Sequence, residues 1–269
     1  MAFERMYVDM DTTVAGFLEH LMAHFSSIVF IEARLSTAFA LFFFLRREWV
    51  PAKLVIGMTF VLSLFILFYL PVSFSMEKMN LSEQVLILLQ QVFLGFITAL
   101  LINFFVEFFI GFGQIVSMQA GLGFVNFFIP KIGHISPMTQ FFMLLATVVF
   151  FSINGHLVLI KMLIESIIVI PELPLHIDSS IFPDILEFSG ILYKGSVMLS
   201  LAVVFSVMLS SMTLAVLTKF SPQLNIFSIG INISLLICFF VVYVSFDLII
   251  ENGNILFKEL IHFMDALHL

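Results

Sequence analysis

The segment VLILLQQVFLGFITALLINFFVEFFIGF, Val85–Phe112, decides the fold, because Glu107 is the only charged residue that it contains. A helix needs about 20 apolar residues to cross the roughly 30 Å hydrocarbon core of a bilayer, so this segment is long enough. The sequence therefore predicts an all-α integral membrane protein with about six long apolar helices. Five further stretches meet the same criterion: Val14–Phe44, Ala52–Leu70, Gln140–Ile164, Tyr193–Leu217 and Phe227–Ile250.

The composition of the whole chain points to the same class. Of its 269 residues, 61% are hydrophobic and 11% are charged, whereas soluble domains average about 45–50% apolar and about 25% charged residues. A soluble enzyme and a secreted disulfide scaffold are excluded, and the single cysteine rules out an internal disulfide. The net charge of −7 and the lack of a Lys/Arg run argue against nucleic-acid binding.

The prolines and the basic residues divide and orient these stretches. All eight prolines lie at or between the ends of the stretches, where a helix tolerates them. Basic residues are densest in the first connection, at Arg46, Arg47 and Lys53. We therefore expect the odd-numbered connections in the cytoplasm and both termini outside. The acidic N-terminus predicts that no leader peptide is removed.

The segment GLGFVNFFIPKIGHISP, Gly121–Pro137, breaks the helical pattern while remaining apolar. Non-helical backbone at membrane depth persists only where protein buries it or where it lines a cavity. Phe124, Phe127 and Phe128 would exclude water from a channel, and the glycines would let the backbone move. An ordinary re-entrant or interfacial loop explains the same pattern, and the two readings stay open.

Charged residues inside the apolar stretches are functional candidates, because insertion of a charge at the bilayer centre costs roughly 2.5–3.5 kcal/mol. Glu32 and Arg34 are two positions apart, so they lie on different helix faces and each needs a partner on another helix. Assembly contacts are the favoured role for both and for Glu107, and a proton or ion relay is the alternative. Small residues every four positions predict a close helix contact: Gly113, Ser117 and Gly121.

No pattern of residues predicts chemistry. The chain lacks a Walker loop, a G-x-G-x-x-G fingerprint and a G-x-S-x-G elbow. His20 and His24 are four residues apart, but the adjacent Glu19 precedes the first histidine, unlike the zincin order. We expect no enzyme, no cofactor and no metal.

Four passages resemble the FliR family of flagellar export-gate proteins, which shares a superfamily with proteins of virulence type III secretion. Gly113–Pro130, GQIVSMQAGLGFVNFFIP, is similar to the family's G-[EQ]-I-I-x-x-Q-x-G-[LF]-x-F stretch. Phe150–Pro171 contains the family's Gly-His pair, and Lys219–Ile237 matches its P-Q-L-N-[IV]-F-x-I-G signature. Arg34, followed by Val50–Pro51, is the weaker fourth match.

The resemblance implies a subunit of the flagellar type III export gate, which passes unfolded flagellar proteins across the bacterial inner membrane. It implies FliP-, FliQ- and FlhB-type partners, contact with membrane lipid, helices packed as tilted hairpins, and a position in the flagellar basal body. In the family, the stretch that corresponds to Gln119–Ser136 forms a plug across the channel. The alternative is a self-contained secondary transporter or proton-coupled channel, for which broken apolar helices and charges at mid-membrane are also typical.

These inferences give one multi-pass membrane domain, residues 1–269, with a plug-like loop region at residues 113–137. The predicted plug or gate residues are Gln119, Gly121, Gly123, Phe124, Phe127, Phe128 and Pro130. The predicted assembly and helix-packing residues are Glu32, Arg34, Glu107, Gly113, Ser117, Gly155, His156, Pro222, Gln223, Leu224, Asn225, Phe227 and Gly230.

Overall fold

A computed structural model describes residues 25–45, 50–69, 80–122, 127–129, 133–169, 181–220 and 226–266. Within them the chain is almost entirely helical, and two three-residue strands form its only sheet. The elements are α1 (residues 25–41), α2 (Ala52–Tyr69), α3 (Leu81–Gln119), β1 (Phe127–Ile129), β2 (Gly133–Ile135), α4 (Pro137–Ser152), α5 (Gly155–Val169), α6 (Ile181–Phe220), α7 (Ile226–Val244) and α8 (Phe246–Ala266).

Helices of membrane-spanning length and apolarity dominate the described part of the chain. By these two criteria α2, α3 and α6 can each cross a bilayer. Two helix pairs, α4 with α5 and α7 with α8, meet the criteria together but are bent, and counting each as one span gives up to five spans. The predicted all-α membrane fold is confirmed.

Two of the predicted stretches are broken helices rather than continuous ones. The axes of α4 and α5 differ by 66°, and those of α7 and α8 by 58°. Asn154 lies at the first break with a φ of 58°, in the left-handed region that ends a right-handed helix. The predicted stretches Gln140–Ile164 and Phe227–Ile250 each run across a break, because their apolar composition does not change there.

The start of α4 follows from a local sequence pattern. Ser136 is the N-cap, and its Oγ accepts a hydrogen bond from the backbone N–H of Thr139 at 3.3 Å. Pro137 occupies the first helical position, where its missing N–H removes no helical hydrogen bond. Together they begin α4 directly after β2.

The described helices fall into two compact units. The first contains α1, α2, α3 as far as Leu100, and α5 from Leu159. Its core is mainly aliphatic, with fully buried side chains from α1, α2, α3 and α5. These are Ile31 and Leu35, Ile66, Leu94, and Leu159 and Leu163.

The second unit contains the rest of α3, the two strands, α4, the start of α5, and α6 to α8. Its core is aromatic: the ring centroid of Phe105 lies 5.3 Å from that of Phe109 and 5.4 Å from that of Phe257. Gly253 in α8 permits this packing, because a Cβ there would lie 2.6 Å from Phe109. Fully buried Cys238 in α7 contacts α3, with Sγ 3.6 Å from the carbonyl oxygen of Val116.

The last helix is amphipathic. One face of α8 is buried, and Ile249, Leu256 and Leu260 belong to it. The opposite face is exposed and polar, with a net negative charge, which suits contact with water rather than lipid. Its charged side chains are Asp247, Glu251, Lys258, Glu259 and Asp265.

Candidate functional site

A buried arginine joins three helices of the first unit. Arg34 in α1 has no exposed surface. Its Nε donates a hydrogen bond to Oε1 of Gln91 in α3 at 2.7 Å, and its Nη1 donates to Oγ of Ser166 in α5 at 2.9 Å. Both acceptors are neutral and buried. The guanidinium is therefore held by two charge-assisted hydrogen bonds to other helices and not by an ion pair with either acceptor.

Glu32 contacts a different helix from Arg34. Two residues along a helix rotate the side chain by about 200°, and Glu32 accordingly faces α2. Oγ1 of Thr59 donates a hydrogen bond to Oε1 of Glu32 at 2.7 Å. The two charged residues that the sequence singles out in α1 therefore have partners on other helices, as the spacing predicts.

A glycine brings α1 and α3 into backbone contact next to the arginine. Gly95 lies one turn beyond Gln91, and a Cβ on it would lie 2.4 Å from the carbonyl oxygen of Arg34 and 3.2 Å from the amide nitrogen of Ala38. Only glycine fits such a close crossing. Gln91, Ser166 and Gly95 are missing from the predicted site, and polar or small residues inside an otherwise apolar helix are the only signal for them.

The end of α3 is where the predicted plug region begins. Gly113 lies against α4, since a Cβ there would lie 3.0 Å from Cα of Thr139. Ser117 is buried one turn later, and half-exposed Gln119 is the last residue of α3. Gly121 has a φ of +74°, the left-handed conformation of a glycine that terminates a helix.

The segment after Gly121 contains a small antiparallel β-hairpin. Phe127 pairs with Ile135, Phe128 with His134, and Ile129 with Gly133. The break in helical structure that the sequence predicts is therefore present, and two paired strands satisfy part of its backbone. Gly123, Phe124 and Pro130 lie outside the described residues, and for Phe127 and Phe128 only the backbone is described.

Comparison with known proteins assigns the family. The sequence model of the bacterial export proteins, family 1, matches residues 25–260. The chain is also similar to the flagellar biosynthetic protein FliR of Buchnera aphidicola subsp. Schizaphis graminum, with 32% identity over 180 residues, which are 66% of this chain and 69% of that protein. The chain belongs to the FliR family of bacterial export proteins.

Other relatives extend the similarity over most of the chain. FliR of Buchnera aphidicola subsp. Baizongia pistaciae is 23% identical over 88% of this chain and 92% of its own length. FliR of Aquifex aeolicus is 26% identical over 74% of this chain and 77% of its own. The surface presentation of antigens protein SpaR of Shigella flexneri is 29% identical over about half of each chain, 49% and 51%. The expected family membership is thus confirmed.

The Gly-His pair of this FliR-family protein lies at the sharp break between α4 and α5. A Cβ on Gly155 would lie 2.5 Å from the ring of Phe150, so the glycine lets that ring pack across the start of α5. The His156 ring lies 5.2 Å from the ring of Phe151. His156 Nδ1 is buried and has no hydrogen-bond partner among the described residues. The pair therefore shapes the bend between two helices.

Of the remaining predicted assembly residues in this FliR-family protein, the structure describes Glu107 and Gly230 with their surroundings. Glu107 is half-buried in α3, within the second unit. Among the described residues, no atom lies within 4 Å of the place where a Cβ on Gly230 in α7 would be. For Phe227 only the backbone is described, and Pro222, Gln223, Leu224 and Asn225 lie outside the described residues. Within the described ranges, no group of three or more His, Cys, Asp or Glu side chains could hold a metal ion.

Proposed function

We propose that this chain is a subunit of the flagellar type III export gate and helps to form the channel that passes unfolded flagellar proteins across the inner membrane. The observation that carries this proposal is the family match over residues 25–260, on a chain made of membrane-spanning helices. Several of its relatives are named flagellar biosynthetic proteins. The chain acts as a structural component of the export apparatus and not as an enzyme.

The proposed partners are FliP-, FliQ- and FlhB-type membrane subunits, together with membrane lipid. Exposed apolar side chains on α2, α6 and α7 support partners of this kind, because such surfaces must be covered by lipid or by other helices. Representative side chains are Phe68 of α2, Phe205 of α6 and Phe240 of α7. Residues 1–269 act as a single membrane domain of the basal body in this proposal.

The segment from Gly113 to Pro137 is proposed to close the channel between export events. Two features support this role: Gly121 ends α3 in a left-handed conformation, and a β-hairpin follows where the sequence is too apolar to prefer water. Strands are less firmly held than membrane helices when they have only one neighbour. Movement of the part of this segment that follows Gly121 then requires no unfolding of α3.

Native mass spectrometry of the assembled complex tests the proposal. The tagged chain is co-expressed with FliP- and FliQ-type proteins encoded near it and extracted in mild detergent. A mixed complex of defined mass is the expected result, because a gate subunit needs partners to cover its apolar helices. An untagged culture processed in parallel controls for adventitious capture.

A stable particle of this chain alone, with both partners demonstrably present in the same membranes, would contradict the proposal. That result would favour the self-contained transporter. Broken helices such as α4–α5 and α7–α8 are also found in that class. Reconstitution of the chain alone in liposomes would then be the direct measurement of transport.

A further inference from the structure

The environment of Glu32 differs from that of an ordinary ionised glutamate. Oε1 lies 2.7 Å from the hydroxyl of Thr59, and the hydroxyl of Ser63, one turn further along α2, also interacts with the carboxyl group. Oε2 is buried and has no hydrogen-bond partner among the residues that the structure describes. An ionised carboxylate offers about four acceptor sites to donors, so about half of these sites would be unused here even if both hydroxyls donated to it.

The hydroxyl hydrogens near Glu32 are also needed elsewhere. Oγ1 of Thr59 lies 3.0 Å from the carbonyl oxygen of Val55 and 3.1 Å from that of Ile56. Its single hydrogen can satisfy only one of these carbonyls or Glu32. Fully buried Ser63 is one turn further along α2, and its Oγ donates to the backbone carbonyl of Phe60 at 2.8 Å.

Within the described part of the chain, the structure shows no ion pair between Glu32 and a basic residue of the same unit. The described hydrogen bonds of Arg34 run to α3 and α5, away from α2. Lys161 in α5 is exposed and lies 3.5 Å from Glu165. The other charged side chains on the described helices of this unit are exposed Lys53, at the start of α2, and exposed Glu83, at the start of α3.

We propose that Glu32 is a proton-binding site within the α1–α2 interface and carries its proton at neutral pH. The carboxyl O–H then donates to Oγ1 of Thr59, and Oγ1 donates its own hydrogen to the carbonyl of Val55. This arrangement satisfies each hydrogen and leaves one neutral carbonyl oxygen unpaired, which is far less costly than an unpaired buried charge. The site goes beyond the proposed function and does not depend on it.

Infrared difference spectroscopy on the purified full-length chain tests this site, because neutral carboxyl groups and carboxylates absorb in separate regions. Spectra of wild type and Glu32→Gln are recorded at neutral pH after both show the same assembly. The expected difference is the loss of one neutral carboxyl C=O band. Loss of carboxylate bands with no change in the neutral region would overturn the proposal. Glu165→Gln is the matched control for the loss of one glutamate, because its side chain is 50% exposed and lies outside the α1–α2 interface, and the neutral C=O band assigned to Glu32 should persist in this variant.

A second variant keeps the test decisive if Glu32→Gln fails to assemble. Thr59→Val preserves the carboxyl group and removes its hydroxyl partner. The expected result is a shift of the neutral C=O band to higher frequency, because the carboxyl loses a hydrogen bond. A shift confined to the carboxylate bands would show an ionised Glu32 and refute the site. Raising the pH should convert the neutral C=O band of wild type to carboxylate bands. The spectrum of Glu32→Gln in the neutral C=O region should not change.

Discussion

At the scale of the residue, the guanidinium of Arg34 links three helices of the first unit. Arg34 is fully buried, and its planar fork reaches acceptors on two other helices. Hydrogen bonds from a charged group contribute about 1.5–3 kcal/mol each, and together they offset the cost of placing a charge at membrane depth. A lysine ammonium has the same charge but lacks two donors fixed in different directions.

Arg34→Lys should therefore destabilise the protein although it preserves the charge. We expect a loss of about 1.5–3 kcal/mol, the contribution of one charged hydrogen bond, measured as a lower melting temperature of the purified complex. Lys161→Arg is the control, because the Lys161 side chain is 70% exposed and its pair with Glu165 lies at the surface. Equal melting temperatures for wild type and Arg34→Lys would contradict this account of the buried network.

Glycine positions set how helices meet and end at the scale of the element. Gly95 allows α1 and α3 to touch backbone to backbone, and Gly121 ends α3. The first position depends on the space available and the second on backbone conformation. Substitutions at the two sites should therefore fail for different physical reasons.

Gly95→Ala should push α1 and α3 apart, because the new methyl group would lie 2.4 Å from a backbone oxygen that cannot rotate away. Overpacking of this kind costs about 1–3 kcal/mol. Gly57→Ala in α2 is a matched control, since no described residue lies within 4 Å of a Cβ there. That control should be neutral or stabilising by up to about 1 kcal/mol, from helix propensity. Thermal unfolding of both variants measures the loss of stability. A similar loss of stability in Gly95→Ala and Gly57→Ala would refute the close crossing of α1 and α3.

Gly121→Val should strain the end of α3, because a β-branched residue at a φ of +74° costs about 1–2 kcal/mol. Gly121→Asn should be much milder, since asparagine tolerates the left-handed region. Hydrogen exchange of the last turn of α3 measures the effect, and faster exchange is expected for the valine variant alone. Identical exchange in the two variants would mean that another conformation ends the helix.

The helices could be predicted from the sequence far better than their contacts. Apolar runs and prolines locate α2, α3 and α6, because membrane insertion requires long apolar helices. The break at Asn154-Gly155 is a turn dipeptide that the surrounding apolar residues obscure. The partners of Arg34 lie 57 and 132 residues away along the chain, and no local spacing connects such positions. Only the folded backbone brings them together.

At the scale of the whole molecule, helix length and exposed apolar surface indicate what must surround the protein. The 40 residues of α6 extend for about 60 Å at 1.5 Å per residue, twice the roughly 30 Å hydrocarbon core. Much of the α6 surface is apolar and exposed, including Leu209 and Val216. Such a helix needs either a strong tilt or neighbouring protein beyond the bilayer. Membership in a larger assembly of membrane subunits meets the second requirement.

Replacing Phe124, Phe127 and Phe128 together by alanine should raise small-ion leak through the assembled gate. In the proposed plug these three aromatic rings exclude water from the channel, so their removal should weaken that exclusion. Conductance of the reconstituted complex is the measurement. A triple alanine variant of Phe205, Leu209 and Val216, on the exposed surface of α6, controls for general loss of apolar area. Unchanged leak in an assembly of normal composition would remove these phenylalanines from the seal.

The buried thiol of Cys238, which contacts α3, can report local opening of the protein through its rate of chemical labelling. The chain has one cysteine, and its thiol is fully enclosed against the carbonyl of Val116. A maleimide can therefore react only in molecules in which the packing around this thiol has opened, and the reaction rate measures how often it opens. If the labelling rate rises during export, the packing around Cys238 opens together with the channel. If the labelling rate stays constant, this packing remains closed during export.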